Sequence, residues 1–124
     1  MTIAEAAFCL ALNIYYEARS EPPAAQLAVA FVTIRRAEQH KTTLCWQVFR
    51  SAQFSWTLNR DNMKSIPRGQ AWRKAQTTAA LALAGFPDST QGADHYHRVD
   101  VRPAWAKRMK KIGRFGSHIF YRET

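Results

Sequence analysis

The stretch Leu10-Ala11-Leu12-Asn13-Ile14-Tyr15-Tyr16-Glu17-Ala18-Arg19 decides how the chain is read. Extended back to Ile3, it sets Ile3, Ala7, Leu10, Ile14 and Glu17 on one stripe at three- and four-residue steps, with Asn13 beside them. The spacing predicts a first helix over 3–19. Glu17 is the odd member of that stripe. At the end of a helix a carboxylate on the apolar side is partly desolvated and faces the negative end of the helix dipole, and both effects raise its pKa. A Glu that holds its proton near neutral pH can give it to a leaving-group oxygen, as a glycosidase acid must. The plainer reading of the same position is an ion pair with Arg19. The remaining carboxylates are ordinary by position: Glu5, Glu38 and Glu123 fall on expected helix surfaces or at the terminus, and Asp61 and Asp88 in loops.

Working outward, Pro22-Pro23 interrupts the first helix and suits the first turn of a second, expected over 23–39. A short helix over 44–50 leads to Gln53-Phe54-Ser55-Trp56, read as extended, and Asn59-Arg60-Asp61-Asn62 reads as a polar loop. A further helix over 68–83 has Trp72, Ala75, Ala79 and Leu83 on its inner face and is closed by Gly85. After it the pattern changes. Residues 94–101 alternate with β-forming types, 103–107 read as a short turn or helix, and 118–122 as a closing strand. Trp46, Trp72 and Phe31 are expected in the core. The fold class is therefore α+β and mainly helical, a single domain over 1–124 with a small C-terminal β element, and no internal repeat or linker divides it.

With 124 residues and 47% apolar content, one hydrophobic core is expected. Lys and Arg number 18 against 9 Asp and Glu, a formal charge of +9, so the natural partner is a polyanion: nucleic acid, anionic lipid or the acidic bacterial envelope. The excess is densest over 98–114, where Arg98, Arg102, Lys107, Arg108, Lys110, Lys111 and Arg114 form either a solvated face or an anion-binding surface. No zinc-finger spacing or helix-turn-helix glycine pattern supports nucleic acid. Cys9 sits in an apolar run, and two free thiols are expected for Cys9 and Cys45. The apolar stretch near the start lacks a preceding basic region and ends in Glu17, so it reads poorly as a signal peptide, and no run approaches the roughly 18 residues of a membrane span. Accumulation in the cytoplasm is expected, with some other agent letting the protein reach an outside target.

The segment from Leu12 to Pro22, continuing through Gln26-Leu27-Ala28-Val29-Ala30, resembles the opening motif of the SleB-type cell wall hydrolases, the spore-cortex-lytic enzyme family. Three further blocks follow in the family's order: Gln53-Phe54-Ser55-Trp56-Thr57, Asp88 to His97, and an ending made of Val101 to Ala106, Ile112-Gly113 and His118 to Arg122. Ser20 stands where the family usually has Gly. The resemblance implies a lysozyme-like, lytic-transglycosylase-related fold that cuts between N-acetylmuramic acid and N-acetylglucosamine, with the family's catalytic Glu falling on Glu17. The compact, basic form suggests a phage endolysin acting on peptidoglycan as a monomer, with possible contact to anionic envelope polymers or lipid through the basic segment.

A glycan hydrolase normally needs two carboxylates, whereas a lytic transglycosylase, by family analogy, manages with one. No second carboxylate is as well placed as Glu17, so transglycosylation giving 1,6-anhydro ends is favoured over a two-carboxylate muramidase. Gln53, Ser55 and Tyr96 can supply hydrogen bonds to sugars, Phe54 and Trp56 flat faces, and His95 and His97 polar groups beside the site. His95 and His97, with Asp94 and distant His118, are residue types found at zinc centres, but their spacing is not a ligand signature. No metal and no cofactor is assigned.

Overall fold

A computed structural model describes residues 1–50 and 66–123. Gln53, Phe54, Ser55 and Trp56, and the loop carrying Asp61, lie outside the described residues.

Helix α1 runs Ile3–Ala18, α2 Pro23–His40, α3 Leu44–Phe49 and α4 Gln70–Leu83. Strands β1 (His95–Arg98), β2 (Lys110–Phe115) and β3 (His118–Arg122) follow, with a 3₁₀ turn at Ala104–Arg108 between the first two. The first three helices begin where the sequence offers a cap or a proline start. Thr2 accepts the Glu5 amide ahead of α1, Pro23 fills the first position of α2, and Thr43 accepts the Trp46 amide ahead of α3. Lys41 closes α2 in the left-handed conformation, its amide reaching back to the Ala37 and Glu38 carbonyls.

The first helix is the centre of the described helical body and packs against the other three described helices. Leu10, Ala11 and Ile14 are essentially without solvent contact, joined by Phe31 and Ala30 of α2, Val48 of α3, and Trp72, Ala75 and Ala79 of α4. A second cluster joins α2 to the sheet through Ala18, Ala28, Val29, Val32, Ala93 and Phe120. Tyr96 borders both clusters. Burial at this scale, at roughly 25 cal/mol per Å² of apolar surface, is the main term holding the helices to the sheet.

The sheet is antiparallel in the order β1-β3-β2, so the last strand in sequence lies in the middle. Its inner face carries Tyr96 and Phe120, which are directly paired, and its outer face carries His95, His97, Ile119 and Tyr121. Strand β2, an edge, was hidden within the basic run: Lys110, Lys111 and Arg114 are exposed, and charge on an edge strand discourages pairing with another chain.

Two expectations are corrected here. Cys9 and Cys45 are not free thiols but form a disulfide tying α1 to α3 across a sequence separation of 36. The bridge forms because the helices bring the two Cα atoms to 5.2 Å, which the apolar setting of Cys9 alone did not reveal. Trp46 is not core: it is half exposed on the outside of α3, with the Arg50 guanidinium 5.1 Å from its ring centre. Trp72 and Phe31 are buried as read.

Candidate active site

Glu17 is the penultimate residue of α1, one turn beyond fully buried Asn13, whose side-chain oxygen accepts the Thr33 hydroxyl of α2 at 2.6 Å. That bond fixes the last turns of α1 against α2. The Glu17 carboxyl is partly buried, and burial lifts its pKa above the ordinary carboxylate range. A hydrogen bond from Tyr96 works in the opposite direction and tempers the rise. The Tyr96 hydroxyl donates to Oε1 at 2.8 Å across 79 residues of sequence. Burial, and then the neighbouring carboxylate, push the Tyr96 hydroxyl well above its usual value, so it stays a donor. With Oε1 accepting from Tyr96, a proton held by this carboxyl sits on Oε2. Arg19, the expected rival for the carboxyl, lies over the Tyr15 ring at 5.0 Å from its centre.

Tyr96 reaches Glu17 because the chain ahead of β1 is held firmly. Asp88 accepts the Thr90 amide and hydroxyl and the Gly92 amide, which makes a tight turn out of the Asp88–Gly92 stretch. Buried Asp94 then accepts Gln39 of α2 and His95, each at 2.9 Å. Its burial alone would raise the carboxyl pKa, but Gln39 and His95 outweigh it and hold the value below normal. Residue type and the SleB-like motif group His95, Tyr96 and His97 as site residues. The structure separates them: only Tyr96 faces Glu17, while His95 and His97 stand on the outer face of the sheet. A strand turns successive side chains to opposite sides, so neighbours in sequence do not share a face. On that outer face both imidazoles flank Trp105, at 5.1 and 5.7 Å between ring centres.

The other carboxylates in view are committed elsewhere. Glu21, four residues past Glu17, accepts the Ser117 amide at the β2–β3 turn and lies 3.5 Å from His118. Burial opposes ionisation there, but the Ser117 amide and His118 prevail and lower its pKa. Gly116, with φ +58°, lets that turn close on Glu21, since a Cβ there would come within 2.9 Å of Ala25. Ser20, where glycine was expected, needs no such freedom because its φ is not positive. Asp100 pairs with Arg98 at the surface. Among the described residues, one grouping sets three ligand atoms within 4.8 Å of one another: Asp94, His95 and Glu123. Asp94 already spends its oxygens on Gln39 and His95, and His97 and His118 turn to other partners, Tyr121 and Glu21.

The model of one family, described as cell wall hydrolase, matches residues 20–121. The chain belongs to the cell wall hydrolase family. As a cell wall hydrolase it is a peptidoglycan-degrading enzyme, and the matched span starts just past Glu17, so membership does not lean on that residue. Two solved structures share the fold of this cell wall hydrolase. The catalytic domain of the germination-specific lytic transglycosylase SleB from Bacillus anthracis is 24% identical, with a TM-score of 0.81 over 98% of this chain and 97% of that one. The catalytic domain of the SleB protein from Bacillus cereus is 25% identical, with a TM-score of 0.77 over 95% and 91%. The lysozyme-like, SleB-type fold read from the four ordered blocks is thereby established. No curated protein matches this cell wall hydrolase.

Removing the Tyr96 hydroxyl isolates its contribution. Tyr96→Phe takes away the one contact that lowers the Glu17 pKa, so the activity profile should move to higher pH on its acid–base limb, with kcat falling roughly tenfold, the scale of one hydrogen bond to a charged group. A pH–rate series checks this. An unmoved profile would reduce Tyr96 to a packing role.

Proposed function

We propose that the protein is a peptidoglycan lytic transglycosylase that cleaves between N-acetylmuramic acid and N-acetylglucosamine with Glu17 as acid and then base. The observation that carries the proposal is a partly buried carboxyl whose pKa is raised by burial, oriented by Tyr96, with no second carboxylate among the described residues directed to it. The protonated Glu17 gives its proton to the glycosidic oxygen as the C1–O bond breaks, and the N-acetylglucosamine side leaves as an alcohol. The resulting carboxylate takes the proton of the muramyl C6 hydroxyl as that oxygen bonds to C1. Glu17 ends protonated, as it began, and no water is consumed. Of the two SleB domains that share this fold, the one from Bacillus anthracis is a lytic transglycosylase, which supports the same chemistry here. Gln53, Phe54, Ser55 and Trp56 are proposed to line the sugar path, on the family motif that they match.

We place its action at the wall, after release from the cytoplasm during lysis of a host cell. No helix among the described residues is long and apolar enough to cross a membrane. The disulfide fits service outside the reducing interior.

Digestion of purified sacculi, followed by mass spectrometry of the new ends, tests the reaction. Anhydromuramyl ends, one water lighter than reducing ends, are expected throughout. Reducing muramyl ends would show a hydrolase, and free stem peptides would overturn glycan cleavage altogether.

A further inference from the structure

On the sheet face turned away from Glu17, a groove of about 640 Å³ opens between the outer side of β1 and β3 and the segment leading through the 3₁₀ turn. Its lining is unlike the wall of a sugar site. Val101, Pro103 and Ile119 give it an aliphatic floor, Tyr121 and His97 close one side, and Arg102 and Lys107 stand over it as cations. The two ring residues are locked. His97 Nδ1 meets the Arg98 carbonyl at 2.7 Å, so it carries the hydrogen and donates, while Nε2 meets the Tyr121 hydroxyl at 2.8 Å. The His97 ring stacks on Tyr121, and Trp105 packs edge-on against Tyr121. A rigid aromatic wall of this kind is preorganised at no further ordering cost on binding.

The surrounding field is one-sided. Between Arg98 and Arg114 the sequence holds a single carboxylate, Asp100, and that group is spent on Arg98. Arg102, Lys107, Arg108, Lys110 and Lys111 are all exposed. A ligand here must therefore bring negative charge at two points and small apolar groups between them. Sugar hydroxyls do not answer that demand, because among the described residues the lining offers no carboxylate or amide side chain to accept and donate to them, and its two rings, His97 and Tyr121, are already stacked on each other. A phosphodiester polymer supplies the charge but nothing for the aliphatic floor. A short peptide with small side chains and free carboxylates supplies both, and the peptide stems borne by the glycan strand have that chemistry.

We propose that this groove is a second substrate site, holding a carboxylate-bearing stem peptide of the wall polymer whose glycan is cut at Glu17. The assignment rests on the peptidoglycan reading of the active site and adds to it a contact that keeps the enzyme on peptide-substituted strands. Arg102 and Lys107 take the carboxylates in charge-assisted hydrogen bonds, and the methyl groups between them cover Val101 and Ile119.

Titration of the intact protein with a short, sugar-free stem peptide, followed through the Trp105 indole signal by NMR, tests this without any glycan present. Saturable shifts at Trp105 are expected for the acidic peptide. Affinity should fall at least about tenfold when the peptide's carboxyls are amidated, and equally for Arg102→Glu with Lys107→Glu. Inorganic phosphate alone should bind more weakly than the peptide. Equal binding of the amidated peptide, full binding by the charge-reversed protein, or tighter binding of phosphate would each overturn the site. Because no sugar is present, the outcome stands apart from the sacculus digestion: peptide binding without anhydro ends would sink the catalytic reading alone.

Discussion

Glu17→Gln is expected to leave the fold intact while lowering glycan cleavage by roughly 10²- to 10⁴-fold, the range that general acid–base catalysis commands. The amide keeps the shape of the side chain and can still accept the Tyr96 hydroxyl, so only the transferable proton is lost. Stability gives the second readout, and its sign follows from the raised pKa. The folded protein holds this proton more tightly than the unfolded chain does. Glu17 therefore contributes its full stability in acid, below the ordinary carboxylate range, and loses it as pH rises through the raised value. Gln has no charge to desolvate. The variant should melt no lower than the parent at neutral pH, and the two curves should converge on acidification. Thermal melts in acidic and neutral buffer, beside a sacculus clearing assay, settle both points. Substantial clearing by a folded variant would move the acid elsewhere.

Breaking the disulfide is expected to cost about 2–4 kcal/mol, because the Cys9–Cys45 link closes a loop of 36 residues that the unfolded chain would otherwise explore. For a domain of this size that corresponds to roughly 10–20 °C in melting temperature. The effect should not stop at stability. The short helix α3 has six residues, far below the length at which a helix stands alone, and the bond to α1 is the covalent part of its anchorage. From its end the chain passes directly into the stretch that carries Gln53 to Trp56. A Cys9→Ala, Cys45→Ala double variant should thus show reduced glycan cleavage as well as earlier melting. Reductant should lower the parent's melting point to that of the variant and leave the variant unmoved. If the parent melts alike with and without reductant, the bond has no part in holding the fold.

Much of this architecture is legible in the sequence because burial writes itself as periodicity. The α1 stripe through Leu10 and Ile14, the proline start of α2 and the closing strand at 118–122 agree with the structure to within a residue or so. Glu17 is legible for the same reason, as a charge in an apolar pattern. Tyr96 is harder. Its partner is 79 residues distant, and residue type marked His95 and His97 with equal force, whereas the pleat of β1 sets them on the far face. Strand β2 escaped because lysines on an edge look like a solvated run, and the disulfide escaped because proximity in space leaves no mark on spacing. The groove at Arg102 and Lys107 was half legible, since charge density named the surface but not the aliphatic floor beneath it.

The order β1-β3-β2 carries one more consequence. Among the described residues, the strand that presents Tyr96 pairs with 118–122, a segment synthesised long after α1. A ribosome that has already made α1 has therefore produced a carboxylate that is still untuned, wet and harmless to the cell making it. On the proposed reading of Glu17, the enzyme becomes armed only when the middle strand has been made and slots home. A chain lacking 118–122 should be inert, however complete its helices.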